Sequence, residues 1–170
     1  MGSIEYRRLR GEADARLWRA IRLEALQTAP EDFLTQYADV IDRPFESFVQ
    51  NLENGVTCAA LRAREPVAVM GLIPETLRAA AHRASLVAVF VRPSERGTGV
   101  ARALFERLLA EAPSHIAQVE LYVRDGNARA EAFYRRLGFE EYGRLPDATR
   151  VDGTSQTDIL MRLSVPPREG

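Results

Sequence analysis

Apolar residues at helical spacing predict two helices in the first third of the chain. After a short strand at 4–9, the segment 12–27 carries its apolar residues near a 3.6-residue period and ends before Pro30. A second, shorter helix is predicted from Phe45, where apolar residues recur at i, i+3, i+4 and i+7, and the pair Asn54-Gly55 ends it.

Shorter runs predict a sheet. Residues 56–62 and 67–72 are apolar strands joined by the turn-like Arg64-Glu65-Pro66, and 119–123 alternates apolar with polar residues. Residues 86–91 form an unbroken apolar run, which is typical of a strand covered on both faces.

The remaining elements complete the order βααβββαβαββ. Helices are predicted at 99–112 and 127–137, and the closing strands at 139–145 and 157–163 flank the turn Asp152-Gly153. This order predicts an α/β (α+β) protein, with a mixed sheet and helices on both of its faces.

Length and composition bound the class of protein. At 170 residues, with 46% hydrophobic and 28% charged residues, the chain is expected to be one domain over 1–170, with a frayed tail at 163–170. The net charge of −1 gives no general attraction to nucleic acid or to an anionic membrane, so neither partner is expected. The single Cys58, the charged N-terminus and the lack of a run of roughly 20 apolar residues favour a cytoplasmic location.

The segment 91–102, Val-Arg-Pro-Ser-Glu-Arg-Gly-Thr-Gly-Val-Ala-Arg, has the chemistry of an anion site. Gly97 and Gly99 permit a positive φ and let a ligand approach the main chain closely. The N–H groups of the loop then point to one place at the positive end of a helix dipole, where a pyrophosphate fits. All 23 cationic residues of the chain are arginine, so Arg96 and Arg102 are the cations that flank this place.

Two glycines alone leave other interpretations open. The plainest is a glycine-rich connection between a strand and a helix that binds nothing. A Walker loop is excluded because it requires a lysine, and the chain has none. A dinucleotide fingerprint is excluded because the third glycine is missing and the loop lies in the middle of the chain.

The segment 127–139 supplies a second group of candidates. Asn127 is placed to cap the helix that begins there, and Phe133 and Leu137 are expected to face the core. Tyr134 is expected beside that apolar stripe, where its hydroxyl can reach a cleft. Taken singly, such a tyrosine is more often a packed aromatic than a catalytic group.

The two segments together closely resemble the GNAT superfamily of acyl-CoA-dependent N-acyltransferases. The patterns are V-x-P-x-x-R-G-x-G-x-A and N-x-x-A-x-x-F-Y-x-x-x-G-F, which lie within 86–139, and the order of elements on either side also fits. The resemblance implies a mostly antiparallel sheet of about seven strands, in which strands 4 and 5 splay apart. It also implies acetyl-CoA as co-substrate and no metal. Homodimers are common among relatives, and the oligomeric state of this chain is left open.

The resemblance assigns a role to each matching position. The main chain at the end of strand 4 pairs with the pantetheine arm, the glycine-rich loop holds the pyrophosphate, and the asparagine bonds the pantetheine. The expected cofactor-binding residues are therefore Val89, Phe90, Val91, Arg96, Gly97, Thr98, Gly99, Val100, Ala101, Arg102 and Asn127. Tyr134 matches the general acid that protonates the departing thiolate of coenzyme A.

The expected reaction is direct attack of a neutral amine on the thioester within a ternary complex. Many relatives place a glutamate on strand 4 or 5 as the base, whereas the predicted strand 4 has no titratable side chain and Tyr122 replaces the glutamate of some protein-modifying relatives. Glu120, on the same strand face as Tyr122, is the nearest carboxylate and the candidate base. The alternatives are His82, a water chain, or an amine that arrives already neutral.

The acceptor pocket has four candidate residues. They are Phe33, Tyr37 and Phe45 on one wall and Asp158 on the other, although core packing is the plainer interpretation of each aromatic. The replacement at Tyr122 favours a small-molecule amine over a protein amino group. A non-catalytic acyl-CoA-binding module is the rival hypothesis, and the chain lacks the basic, aromatic-interleaved cluster of a nucleic-acid-binding protein.

Overall fold

The computed structural model describes residues 2–166 and contains the predicted elements in the predicted order. They are β1 (Ile4–Arg8), α1 (Gly11–Thr28), α2 (Phe45–Asn54), β2 (Val56–Arg62), β3 (Glu65–Pro74), β4 (Arg83–Val91), α3 (Val100–Glu111), β5 (Gln118–Arg124), α4 (Ala128–Arg136), β6 (Glu140–Val151) and β7 (Thr154–Ser164). Short 3-10 turns lie between several of them.

The seven strands follow the order β1-β2-β3-β4-β5-β7-β6. β4 and β5 run parallel, while β1–β2, β2–β3, β5–β7 and β6–β7 are antiparallel, which confirms the predicted mixed, mostly antiparallel sheet. The β4–β5 ladder joins 83–85 to 118–120 and ends there, in agreement with the predicted splay of strands 4 and 5.

Backbone contacts group the chain into two compact units. The first contains the residues up to Ile73 together with Leu86–Ala112, and the second contains Pro74–Ser85 together with the residues from Pro113 onward. β4 belongs to both, since its first three residues lie in the second unit and the rest in the first. A single domain over 1–170 stays a prediction.

The first unit has helices on both faces of its strands. One core cluster joins Trp18 of α1 and Phe48 of α2 to Ala59 and Leu61 of β2. The helix α3 contacts β1 and β2 but contributes no residue to that cluster. Because successive strand residues point to opposite faces, α3 covers the face to which Cys58 points, and that thiol is fully buried.

The turn between β2 and β3 lies one residue earlier than predicted. Ala63 and Arg64 have φ of 50° and 69°, so the two residues themselves form the hairpin turn. Pro66 lies within β3 opposite Leu61, next to a register shift at Ala60/Leu61. The left-handed conformation was not evident in the sequence because neither alanine nor arginine favours it.

The closing strand is longer than predicted. Leu163 and Ser164 oppose Val119 and Gln118 in the β5–β7 ladder, and the N–H of Val165 donates to the carbonyl of Ala117 at 2.8 Å. The prediction that the chain frays from 163 is therefore wrong for residues 163–165. The predicted tail's last residues, 167–170, lie outside the described residues.

The described residues lack two features. None of their helices combines the length and the apolar character that crossing a bilayer requires. Within the same range, no three His, Cys, Asp or Glu side chains are grouped so as to hold a metal ion.

Candidate functional site

The loop between β4 and α3 lies in the first unit and has the backbone that its glycines predicted. Gly97 and Gly99 have φ of 76° and 89°, a region that costs a residue with a side chain about 1–2 kcal/mol. Gly99 is the N-cap of α3, and no side chain caps this helix, so its first N–H groups remain suited to an external acceptor. A Cβ added at either glycine would meet no atom within 4 Å. This uncapped, open helix start fits an anion such as a diphosphate.

Contacts that the sequence did not reveal hold this loop in shape. The hydroxyl of Thr98 donates to the carbonyl of Glu95 at 2.7 Å, and Arg62 donates from Nε and Nη2 to both carboxylate oxygens of Glu95 at 2.9 Å. Arg62 holds the pKa of Glu95 below its usual range, so the carboxylate is ionised and neutralised by its partner. The pair links residues 33 positions apart, and no local pattern signals it.

β4 is irregular at Ala88, where an unbroken strand was predicted. Ala88 has a φ of 54°, which distorts the strand directly before the three residues expected to pair with pantetheine. Of those three, Phe90 is buried, and Val89 and Val91 are half-buried. Alanine does not favour this conformation, so the apolar run 86–91 gave no sign of it.

In the second unit, Asn127 caps α4 as predicted, and Tyr134 lies deeper than predicted. The Oδ1 of Asn127 accepts from the N–H of Ala130 at 3.2 Å. Tyr134 is the buried residue of α4, with 8% of its surface exposed, whereas Phe133 is half-buried. Its ring packs edge-on against Phe139, with 5.8 Å between the ring centroids.

The deep position of Tyr134 follows from the end of the helix. Gly138 adopts a φ of 98° after α4, and the chain turns back so that the N–H of Phe139 donates to the carbonyl of Tyr134 at 3.0 Å. Phe139 thus returns to the side of the helix that carries Tyr134, and that side becomes the buried one.

Glu120, the candidate base, is held in an ion pair within the second unit. Arg83 donates to its two carboxylate oxygens at 2.5 and 2.6 Å, and Gln118 donates to one of them at 2.6 Å. Only 7% of Glu120 is exposed, and these partners hold its pKa below the usual range. A carboxylate of lowered pKa with both oxygens occupied is a weak proton acceptor, so the geometry favours a structural role. His82, the alternative, is exposed.

The first unit contains a cavity of about 270 Å³ beside α1, α2, β3 and β4. Its polar lining consists of Arg22, Arg43, Thr35, Asn51, Asn54 and Thr57. The three aromatics proposed for the acceptor pocket are not among the lining residues. Phe33 belongs to the core cluster, and Tyr37 and Phe45 pack against it, as the core interpretation predicted. Asp158 lies on β7 in the second unit.

Comparison with known proteins places these elements in a family. The model of the Acetyltransferase (GNAT) family matches residues 17–139. The peptidyl-lysine N-acetyltransferase YjaB of Escherichia coli (strain K12) is 39% identical over 77 residues, which are 45% of this chain and 47% of that protein. The chain thus matches about half the length of this curated relative.

Solved structures share the fold. An acetyltransferase of the GNAT family from Streptococcus pneumoniae has a TM-score of 0.84 at 16% identity, over 96% of this chain and 100% of that one. The ribosomal-protein-alanine N-acetyltransferase of Brucella melitensis has a TM-score of 0.77 at 24% identity, over 96% and 99%. For yncA of Salmonella typhimurium, solved with acetyl-CoA, the TM-score is 0.80 at 15% identity, over 99% and 98%.

The family match includes both segments that carried the resemblance, the glycine-rich loop before α3 and the segment from Asn127 to Phe139. It also spans most of the elements that the sequence predicted, and the structural neighbours confirm the expected fold. The chain belongs to the GNAT family of acetyltransferases.

Proposed function

We propose that this protein is an N-acetyltransferase that transfers the acetyl group of acetyl-CoA to the primary amine of a small molecule. The observation that carries the proposal is the start of α3. Two glycines of positive φ precede an uncapped helix N-terminus, with open space where a Cβ would stand. This arrangement binds phosphate groups in many folds, and here it lies inside the matched family segment.

The chain's own residues supply binding and orientation. Main-chain N–H groups of Gly97, Thr98, Gly99, Val100, Ala101 and Arg102, with the Arg96 side chain, bind the pyrophosphate. The main chain of Val89, Phe90 and Val91 pairs with the pantetheine arm as an added strand would, and Asn127 donates a hydrogen bond to it. Acetyl-CoA supplies an acetyl group activated as a thioester. Because the amine attacks this group directly, holding both reactants in place supplies much of the rate.

Two proton transfers accompany the attack. Tyr134 donates its phenolic proton to the thiolate that leaves, which removes the negative charge from the product sulfur. The attacking amine must lose a proton. The sequence predicted Glu120 as the acceptor of this proton, but its ion pair with Arg83 favours a structural role instead. A water chain, or an amine that binds already neutral, serves the same purpose without a dedicated carboxylate.

The cavity of the first unit supports a small-molecule acceptor. Its volume of about 270 Å³ lies just below the range of roughly 300 to 1,000 Å³ that is typical of ligand pockets, so it suits a small acceptor. A protein amino group is the second candidate, because the name of the relative YjaB describes action on peptidyl lysine.

Titration with coenzyme A and turnover by a tyrosine variant test the proposal. Calorimetry should detect binding of acetyl-CoA, and a panel of amines should include an acceptor that releases coenzyme A. Tyr134→Phe should keep its affinity for acetyl-CoA and lose about 10²- to 10⁴-fold in kcat. Tyr142→Phe is the control, since Tyr142 lies on β6 with 48% of its surface exposed and has no proposed role.

Three results would contradict parts of this proposal. Absence of coenzyme A binding would remove its basis. Binding without release of coenzyme A on any small amine or lysine peptide would instead favour a non-catalytic acyl-CoA-binding module. An unchanged kcat in Tyr134→Phe would leave the enzyme intact and exclude Tyr134 as the acid.

A further inference from the structure

Arg22 on α1 lies in a largely buried setting, without a counter-ion among the described residues. Its Nη1 is inaccessible to solvent and has no hydrogen-bond partner. Within residues 2–166 it forms no ion pair, whereas Arg62, Arg83 and Arg92 are each held by both oxygens of a carboxylate. Burial, together with the nearby charge of Arg43, lowers the pKa of the Arg22 guanidinium to about 10.

The cavity beside Arg22 is cationic. Arg22 and Arg43 are its charged lining residues, and no Asp or Glu is among the lining residues, all of which lie in the described part of the chain. Trp18, which also lines the cavity, has a buried Nε1–H without an acceptor. The guanidinium of Arg22 lies 4.9 Å from the ring centre of Phe33 and 6.0 Å from that of Trp18, so aromatic faces restrict its position.

The unpaired N–H groups of Arg22 and Trp18 cost free energy when no ligand is bound. A buried charge without a partner keeps its desolvation penalty, and a buried N–H without an acceptor adds to it. A carboxylate in the cavity offers negative charge to the guanidinium and acceptors to the free N–H groups. The planar fork of an arginine matches a carboxylate through two parallel hydrogen bonds.

The position of the cavity in the chain favours the acceptor over the donor as its occupant. Val87 and Ala88 line it, and they directly precede Val89–Val91, the segment proposed to pair with the pantetheine arm. The proposed pyrophosphate site at Gly97–Arg102 has its own helix N-terminus and is formed by other residues. The cavity therefore lies next to the strand segment that is proposed to hold the acyl-bearing arm.

We propose that the cavity binds the anionic end of the acceptor, so that the substrate is a small amine that also carries a carboxylate, such as an amino acid. Arg22 binds the carboxylate and determines specificity, and Arg43 adds positive charge. This inference rests on the proposed acetyltransferase function. It predicts discrimination between two acceptors that share an amine and differ in one anionic group.

Amino acids paired with their own α-amides provide this comparison. For the pair that is turned over best, we expect kcat/KM to be at least about tenfold higher for the acid. At a given pH the amide has more of its amine in the neutral, reactive form, so amine reactivity alone would favour the amide. A preference for the acid therefore reports binding of the carboxylate. Arg22→Met should lose about 10- to 100-fold on the acid and little on the amide, whereas Arg22→Lys should keep part of the preference. Arg19→Met is the control, because Arg19 lies on the same helix and does not line the cavity.

Two measurements besides turnover complete the test. Calorimetry of the acid and of the amide, each titrated into protein saturated with coenzyme A, should show the same preference. Thermal unfolding of Arg22→Met should occur at an unchanged or higher midpoint, because the substitution removes an unpaired buried charge.

Some results overturn the inference and leave the proposed function standing. These are equal use of acid and amide, a preference that Arg22→Met does not alter, and better turnover of lysine peptides than of any amino acid. A further result would also overturn the inference: Arg22→Met unfolds at a lower temperature, and Arg22→Lys restores the unfolding midpoint but not the preference for the acid. Arg22 would then have a structural role. Failure of the proposed function has a different signature, since coenzyme A itself would not bind or no amine would release it.

Discussion

Replacing Gly99 by alanine separates the folding role of this glycine from its proposed role in binding acetyl-CoA. Its φ is 89°, and an added Cβ would meet no atom within 4 Å. The cost to folding is therefore that of the backbone alone, about 1–2 kcal/mol. In a chain of this size, each kcal/mol lowers the midpoint of thermal unfolding by roughly 2–4 °C. We expect Gly99→Ala to unfold a few degrees below the wild type.

The expected effect on binding is larger. Gly99 is the N-cap of α3, where the proposed pyrophosphate approaches the main chain. If the pyrophosphate binds there as proposed, it would occupy the space beside Gly99 that holds no protein atom, and the new methyl group would then clash with it. We expect the Kd for coenzyme A to rise more than tenfold, a loss above about 1.4 kcal/mol. Calorimetry well below the unfolding midpoint measures this change on folded protein.

Gly11→Ala is a matched control for this prediction. Gly11 has a φ of 71° at the start of α1, and its added Cβ also meets no atom within 4 Å. The backbone cost is of the same kind, and no ligand is proposed there. The variant should lose similar thermal stability and bind coenzyme A normally. If Gly99→Ala bound coenzyme A like the wild type, or if both variants lost affinity equally, the start of α3 would not be the phosphate site.

Three more predictions concern stability and reactivity. Because Arg83 lowers the pKa of Glu120, this ion pair stabilises the fold fully above pH 4.5 and loses its contribution as the pH falls through the lower pKa of the folded state. Urea unfolding at pH 7 and at low pH should therefore show that acid lowers the free energy of unfolding less in Glu120→Gln than in the wild type. An equal decrease in both proteins would contradict a stabilising ion pair. Ala88→Gly should change the free energy of unfolding little, since relief of the left-handed strain offsets the added chain entropy. Ala84→Gly, at an ordinary φ in the same strand, should lower it by about 1–2 kcal/mol, because it adds chain entropy and also removes a buried methyl group. Denaturant titration of both variants measures the difference. Burial raises the pKa of the Cys58 thiol to about 12, so a thiol reagent at pH 8 should modify Cys58 only after unfolding, and rapid reaction of the native protein would show that the core is open.

Local sequence patterns were sufficient for the elements and their order. Residues only a few positions apart produce the periodicity of α1 and α2, the apolar run within β4 and the turn at Asp152-Gly153. The backbone of the glycine-rich loop was also predictable, because glycine permits the positive φ that Gly97 and Gly99 adopt. The two motif segments then led to the family, which the match over 17–139 confirmed.

The sequence could not reveal contacts between residues far apart in the chain. The local sequence pattern of Glu120 indicated a carboxylate without a partner. It meets Arg83, 37 positions away, only because β4 and β5 pair in parallel. The burial of Tyr134 depends on the return of the chain after Gly138, which helical spacing alone did not indicate.

By itself, then, the sequence determined the order of the helices and strands, the positive φ of the two glycines before α3 and the family, since each depends on residue type and short-range spacing. The tertiary structure decided which charges are paired. Arg22 is one of 23 arginines in the sequence, and only packing shows that it lines a cavity with no carboxylate partner among the described residues. The physical reason is that desolvation and pairing of a charge depend on every element around it, whereas helix and turn preferences depend on its neighbours in the chain.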